Sequence, residues 1–396
     1  MIPFDHQPRT RLIYGSGAIN QIGERARELG GRRVLVVTDP GIVAAGHIAP
    51  AVAYLQQAGI EVSVFDGVRE NPTTAHVAEC VAAARAHQAD LIIGLGGGSS
   101  MDTAKGCNFI LTNGGVMKDY WGVGKARLPM LPLIAIPTTS GTGSECQSAA
   151  LIADEVTHLK MACLDPKAAA RIAILDPALT ISLPPRITSF TGVDAITHAV
   201  ETAVTRKRNA LSLMYSHQAF TLCVRGLPRV LANPGDLEAR GQMLLGAALA
   251  GTAIENSMLG AAHSAANPLT ARFNVVHGIA VGLMLPHVIR FNAVEPVAAR
   301  AYAELASAPE LACVSEGVTP AVEALVGHIE SLLNFAGIPR SLAECGVDRT
   351  AIPELAVEAA RQWTAGFNPR TIGVEDFIRL YEAGFEHRGD GDRSFV

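Results

Sequence analysis

The chain has 396 residues, 49 % of them hydrophobic and 17 % charged, with a formal net charge of −5 and a pI near 6.2. That length is enough for a large core and two or more domains, that apolar content excludes global disorder, and the acidic balance leaves no basic field for a nucleic-acid backbone. The longest apolar runs, such as residues 131–137, are strand-sized, well short of the roughly 20 residues that span a bilayer.

The N-terminal stretch Met1-Ile2-Pro3-Phe4-Asp5-His6 carries no basic segment followed by an apolar one, so no secretion signal is expected. The seven cysteines are scattered without a CxxC pair, which points to reduced thiols and a cytoplasmic setting. Cys146 is read as packing. Neither a membrane nor a nucleic acid is expected as a partner.

Residues 33–39 form a short continuous apolar run ending at Asp39-Pro40-Gly41, the pattern of a buried parallel strand. Helical spacing follows over 43–58, then a strand over 61–65. Asn71-Pro72-Thr73-Thr74 is a capped turn opening a helix over about 75–88. Further strands are expected at 91–95, 133–137 and 171–175. Such alternation predicts an α/β, doubly wound sheet with ligands at the carboxyl ends of its strands.

Two loops follow these strands. Gly94-Leu95-Gly96-Gly97-Gly98-Ser99-Ser100 leads into a helix, where backbone N–H groups and the helix N-terminus suit a pyrophosphate. It lacks the Gly-Lys-Ser/Thr of a Walker loop and misses strict G-x-G-x-x-G spacing, and a plain tight turn would use the same glycines. Thr138-Thr139-Ser140-Gly141-Thr142-Gly143-Ser144-Glu145 has the hydroxyl density to bind ribose, adenine and phosphate. Asp39 ends the first strand of the run, where a carboxylate accepts from adenosine ribose hydroxyls and repels a 2′-phosphate, favouring NAD. A turn aspartate before Pro40 is the competing reading.

After Leu183-Pro184-Pro185 the pattern turns to alanine- and leucine-rich helices, punctuated by Asn233-Pro234-Gly235 and Gly337-Ile338-Pro339. A nucleotide-binding α/β domain over 1–181 and an all-α domain over 182–396 are therefore expected. The tail at 388–393 reads as solvated and mobile. In Thr191-Gly192-Val193-Asp194-Ala195-Ile196-Thr197-His198-Ala199-Val200-Glu201 the apolar spacing starts a helix on which Asp194 and His198 share a face. Alone, such a pair is more often a helix charge and a core histidine. With His263 and His277 downstream it completes a three-imidazole, one-carboxylate set suited to Fe²⁺ or Zn²⁺ and poor for Ca²⁺ or Mg²⁺.

On the Gly96–Ser99 loop, the Thr138–Glu145 loop, Asp194-x-x-x-His198 and the His263 to His277 stretch, the chain resembles the iron-containing (group III) alcohol dehydrogenases. Their fold is related to dehydroquinate synthases and glycerol dehydrogenases. The resemblance runs from about Arg11 to the final helices. It implies a dehydroquinate synthase-like fold with a metal-binding C-terminal domain and an active site in the cleft between the domains. Asp194, His198, His263 and His277 would hold the metal, and Gly97, Gly98 and Ser99 the pyrophosphate. Thr138, Thr139, Thr142 and Leu179 would contact the nucleotide, Lys160 would reach toward the ribose, and Asn71 would lie near the adenine end.

Two residues depart from the family pattern. Asn267 stands where many members carry a second histidine that relays the alcohol proton. An amide cannot titrate near neutral pH, so the proton would pass through water and the nicotinamide ribose hydroxyl, or the pH optimum would shift. Arg272 stands where members show an apolar or aromatic residue, and it either pairs with carboxylates of the protein or meets an anionic substrate. His287 and His217 are read as packing histidines, and no partners are assigned to His6, His47, His76, His87 or His387.

The implied activity is a metal-dependent interconversion of a small primary alcohol and its aldehyde by hydride transfer with NAD(H), in a homodimer or larger homo-oligomer. Two alternatives stand beside it. A dehydroquinate synthase-like lyase or cyclase using NAD transiently would need more basic residues around a phosphorylated substrate. A non-catalytic nucleotide-binding module would bind NAD without turning over any carbonyl.

Overall fold

The computed structural model describes residues 3–156 and 159–386. His387 and the tail at 388–393 lie outside the described residues. The chain divides into two compact units, Gln7–Leu183 and Met1–His6 with Pro184–Val396. The break falls at Leu183-Pro184-Pro185. The residues up to His6, expected to belong with the α/β domain, go instead with the helical unit, where His6 Nδ1 lies 3.0 Å from Asn256 Oδ1.

The α/β unit carries β1 (Arg11–Tyr14), α1 (Ile22–Glu28), β2 (Arg33–Val37), α2 (Pro40–Ala44), α3 (Ile48–Gln57), β3 (Glu61–Phe65), α4 (Thr74–Ala86), β4 (Leu91–Gly96) and α5 (Gly98–Asn113). It continues through β5 (Gly122–Val123), β6 (Leu133–Pro137), β7 (Ala149–Ala153), β8 (Lys160–Leu164) and β9 (Ile172–Leu175). A six-stranded sheet runs β1-β9-β6-β4-β2-β3, every neighbour parallel. Because side chains alternate across a strand, Leu35, Val37 and Ile92 feed a core under α4 and α5, whereas Val34, Val36, Leu91 and Ile93 feed another under α1 and α3. Burial on both faces explains why β4 and β6 read as unbroken apolar runs. The chain leaves β2 for β3 and returns to β4 on the opposite side, so a topological switch point lies between β2 and β4.

Four differences from the sequence reading have local causes. The helix expected over 43–58 is two helices, α2 and α3, parted by the turn Ala45-Gly46-His47. β1 is an edge strand, half exposed, and too short to show alternation. β5, β7 and β8 form a separate three-stranded sheet, and the alanines of β7 give little strand propensity. His76 also gains a role: its Nδ1 accepts the Thr73 backbone N–H at 3.1 Å and closes a capping box at the start of α4.

The helical unit carries α6 (Pro185–Thr202), α7 (Ala210–Ala232), α8 (Leu237–Asn256), α9 (Ala261–Phe273), α10 (His277–Asn292), α11 (Pro296–Ser307), α12 (Val318–Phe335), α13 (Ile352–Arg361) and α14 (Val374–Phe385). No strand occurs among its described residues. α6 begins at Pro185, more than a turn before the expected start, because proline suits the first helical position, where no N–H is needed. It is buried almost all round in one large core shared with α7, α9 and α10. None of the described helices is long and apolar enough to cross a membrane.

Candidate active site

In the α/β unit the two glycine- and hydroxyl-rich loops follow adjacent parallel strands, β4 and β6, and meet at their carboxyl ends. Gly97 is the N-cap of α5, so Gly98 and Ser99 open the first turn, where backbone N–H groups are unspent. The second loop lies directly on the first: a Cβ added to Gly98 would sit 2.8 Å from Thr142 Cγ2, and one at Gly97 3.3 Å from Thr139 Cγ2. The Thr138 backbone N–H donates to the Gly96 carbonyl at 3.0 Å, and its buried hydroxyl oxygen has no hydrogen-bond partner.

Buried Lys105 on α5 locks the pair, donating from Nζ to the Ser144 carbonyl at 2.6 Å, Ser144 Oγ at 2.9 Å and the Ala149 carbonyl at 3.0 Å. Ser144 Oγ in turn donates to Asp102 Oδ1 at 2.9 Å. Burial raises the Asp102 carboxyl against the opposing charges of Lys105 and the exposed Lys160 on β8. Burial likewise pushes Glu145, beside this network, up to about 7.

Asp39 closes the cradle from β2. Its Oδ1 accepts from the N–H groups of Gly41 at 2.9 Å and Ile42 at 3.1 Å, capping α2, so the turn-aspartate reading describes one of its oxygens. Its Oδ2 accepts from Ser100 Oγ at 3.3 Å and faces the Gly96 backbone. Asn71 is exposed, with φ 50°, on the approach to α4. Leu179 is buried in the core under α1 and α3. Changing Asp39 to glycine should move the cofactor preference toward NADPH by about tenfold or more, since it removes a charge repelling a 2′-phosphate. The ratio of kcat/KM for NADH and NADPH measures this, and an unchanged ratio would show that Asp39 does not read the ribose.

In the helical unit, α6 presents Asp194 and His198 one turn apart, with the His198 Nε2 to Asp194 Oδ1 distance 3.3 Å. His263 lies in the first turn of α9 and His277 opens α10, the two helices joined by the short turn through Asn274, φ 54°. α10 approaches α6 so closely that a Cβ on Gly278 would lie 2.0 Å from the Phe190 carbonyl oxygen, a position open to glycine alone. That approach carries His277 Nε2 to 3.8 Å from Asp194 Oδ1, while His263 Nε2 stands at 3.4 Å. Donor atoms of Asp194, His263 and His277 all fall within 4.8 Å of one another, and the His198 ring stacks on His263 with centroids 4.7 Å apart. Asp194, His263 and His277 therefore form one cluster of possible ligand atoms, with His198 beside it, 3.3 Å from Asp194 Oδ1 and stacked on His263.

The electrostatics suit a cation there. Burial opposes ionisation of Asp194, but the imidazoles of His198, His263 and His277 outweigh it and hold the carboxyl below its ordinary range. Burial also disfavours a charged His263, yet Glu201 and Asp194 lift it to about 9. Asp194 Oδ1 and His263 Nε2 are both buried without a hydrogen-bond partner. Such orphaned atoms are costly in a protein interior, and a divalent cation held by these residues would offset the cost. Three nitrogens and one carboxylate oxygen suit Fe²⁺ or Zn²⁺.

Comparison with known proteins bears on the same residues. The family model for iron-containing alcohol dehydrogenase matches residues 8–177, and that for the C-terminal region of the Fe-containing alcohol dehydrogenase family matches residues 188–385. This chain belongs to the iron-containing alcohol dehydrogenases. It is 33 % identical to a 1,3-propanediol dehydrogenase of Klebsiella pneumoniae over 96 % of this chain and 99 % of that one. To an NAD-dependent methanol dehydrogenase of Bacillus methanolicus it is 32 % identical, over 93 % and 96 %. Among solved structures, a 1,3-propanediol oxidoreductase superposes with a TM-score of 0.93 at 32 % identity, covering 97 % of this chain and 100 % of that one.

Within this iron-containing alcohol dehydrogenase, the two departures have definite surroundings. Asn267 Nδ2 donates to Gln362 Oε1 at 3.1 Å. Arg272 is partly exposed at the end of α9 and is paired with carboxylates of α13: its Nε donates to Glu358 Oε1 at 2.9 Å, and its Nη1 to Glu354. The structure thus shows the protein-pairing arrangement for Arg272, whose guanidinium meets two carboxylates of α13. His217 and His287 are half-buried. His47 and His87 meet Ser182 Oγ at 2.7 Å and the Glu61 carbonyl at 3.3 Å. The sequence reading assigned no role to Glu201, although it follows Asp194 by seven residues and His198 by three on the same helix face.

Proposed function

We propose that this chain interconverts a small primary alcohol and its aldehyde by hydride transfer with NAD(H), using a divalent metal held by Asp194, His198, His263 and His277. The observation that carries the reading is Asp194 Oδ1 facing three imidazole nitrogens within 3.8 Å, in a family of alcohol dehydrogenases. A bound iron supplies Lewis acidity toward the substrate oxygen, and NAD(H) supplies the redox chemistry. The protein's share is binding, orientation and water exclusion. The first turn of α5, with Gly97, Gly98 and Ser99, offers N–H groups to the pyrophosphate, and Thr138, Thr139 and Thr142 offer hydroxyls beside it. Lys160, Asn71, Leu179 and Asp39 complete the proposed nucleotide contacts. Asn267, its amide given to Gln362, brings no titratable proton, so proton exchange at the alcohol oxygen falls to water. The seven cysteines, scattered without a CxxC pair, support a cytoplasmic setting, and the reading includes a homodimer or larger homo-oligomer, as the family resemblance implies.

The experiment is an NADH-oxidation panel over short, hydroxylated and anionic aldehydes, on chelator-stripped protein with Fe²⁺ or Zn²⁺ added back. Metal should restore oxidation of one NADH per aldehyde reduced, with uncharged short aldehydes the better substrates because Arg272 is already paired. Full turnover without metal, or no turnover on any aldehyde with metal bound, would overturn the reading.

A further inference from the structure

α6 carries a third polar residue on the face that presents Asp194 and His198. Glu201 is buried, and both of its carboxylate oxygens are engaged. Oε2 lies 2.6 Å from His263 Nδ1, and Oε1 accepts the Ala262 backbone N–H at 2.6 Å. Ala262 and His263 are in the first turn of α9, so Glu201 meets that helix where its N–H groups are unspent and negative charge is favoured. Beside it, Asn368 Oδ1 accepts from the Ala261 N–H at 3.3 Å and from Asn292 Nδ2 at 3.1 Å, which fixes the entry to α9 from the other side.

We infer that Glu201 is a positioning residue for the metal centre: it fixes His263 in the tautomer that carries its proton on Nδ1 and leaves Nε2 free to coordinate. A carboxylate is an acceptor only. The proton between Glu201 Oε2 and His263 therefore belongs to Nδ1, and Nε2 turns toward Asp194 Oδ1, 3.4 Å away. A carboxylate behind a ligating imidazole also raises its basicity and holds the ring plane, and loss of such a partner weakens metal binding by about 10–100-fold. The second contact, to Ala262, fixes the turn on which the ring is mounted. The same side chain therefore sets both the backbone and the proton of one ligand. This inference rests on the proposal that Asp194 and the three histidines hold a metal.

The test compares Glu201→Gln, Glu201→Asp and His263→Ala, reading Zn²⁺ and Co²⁺ affinity by competition with a chromophoric chelator, alongside thermal unfolding of the metal-free proteins. Glutamine keeps an oxygen to cap Ala262, but points an amide N–H₂ at Nδ1 or gives up the cap to avoid doing so. The expected result is a metal-free melting temperature for Glu201→Gln close to that of the parent, with affinity about 10–100-fold weaker and weaker Co²⁺ d–d absorption at equal metal concentration. Glu201→Asp, still a carboxylate, should recover part of that affinity. A purely structural cap predicts the reverse order, because glutamine preserves the reach that aspartate loses. If Glu201→Gln binds metal within twofold of the parent, or aspartate binds no better than glutamine, the inference is overturned. Loss of metal in His263→Ala in the same series would show that only the role of Glu201 had failed. Full retention there would show that the metal site itself had.

Discussion

Asp194→Ala is expected to hold neither iron nor zinc and to lose alcohol–aldehyde activity by about a thousandfold or more, the scale set by removing a Lewis acid worth several kcal/mol to the transition state. Asp194 is the only carboxylate in the proposed ligand set, and its Oδ1 is the point from which His198, His263 and His277 stand 3.3, 3.4 and 3.8 Å away. Without it, three imidazoles face one another, and the nearest remaining carboxylate, Glu201, lies behind His263 on the Nδ1 side. The surrounding core of α6, α9 and α10 is apolar and continuous, so the variant should remain folded. Metal content by elemental analysis and NADH oxidation in the presence of aldehyde are the two measurements, and they should fall together. A variant that keeps parental turnover with no metal bound would show that the cluster has no part in the chemistry.

Gly98→Val should raise the KM for NADH by about 100-fold while leaving metal content unchanged, since losing one or two charge-assisted hydrogen bonds costs about 1.5–3 kcal/mol each. A Cβ at that position would meet Thr142 Cγ2 at 2.8 Å and Thr142 Cβ at 3.2 Å. Thr142 has little room to retreat, because Ser144, two residues on, is tied to Lys105 and Asp102 on α5. The valine must therefore displace the first turn of α5 or the second loop, and either movement spoils the N–H array proposed to hold the pyrophosphate. Steady-state kinetics in NADH, run beside an iron assay, separates this defect from that of Asp194→Ala. An unchanged KM would place the pyrophosphate elsewhere.

The fold was largely legible because its central strands are buried on both faces. Residues 33–39, 91–95 and 133–137 read as apolar runs, and each holds a strand of the parallel sheet. What escaped had weak local signals. β1 is four residues at an edge, and β7 is alanine-rich, so neither stands out by periodicity or propensity. Pro184-Pro185 reads as a break in the sequence, although Pro185 occupies the first turn of α6.

At the proposed metal centre, helical spacing puts Asp194 and His198 on one face, whereas His263 and His277 rest on composition and family resemblance. Their meeting depends on the close approach of Gly278 to Phe190, which no local pattern announces. Glu201 lay on the same stripe and went without a role, because a lone glutamate near a helix end ordinarily faces solvent. Its partner His263 is distant in sequence. Arg272 shows the opposite limit: sequence framed the choice between a protein carboxylate and a substrate anion, and only the packing of α13 against α9 decided it.

The most direct test of the account is anomalous X-ray diffraction at the iron edge from crystals of the Fe²⁺-loaded protein. The predicted result is a single strong peak within about 2.0–2.3 Å of Asp194 and of the three histidine Nε2 atoms. A peak elsewhere, or no peak in protein that elemental analysis shows to carry one iron per chain, would contradict it.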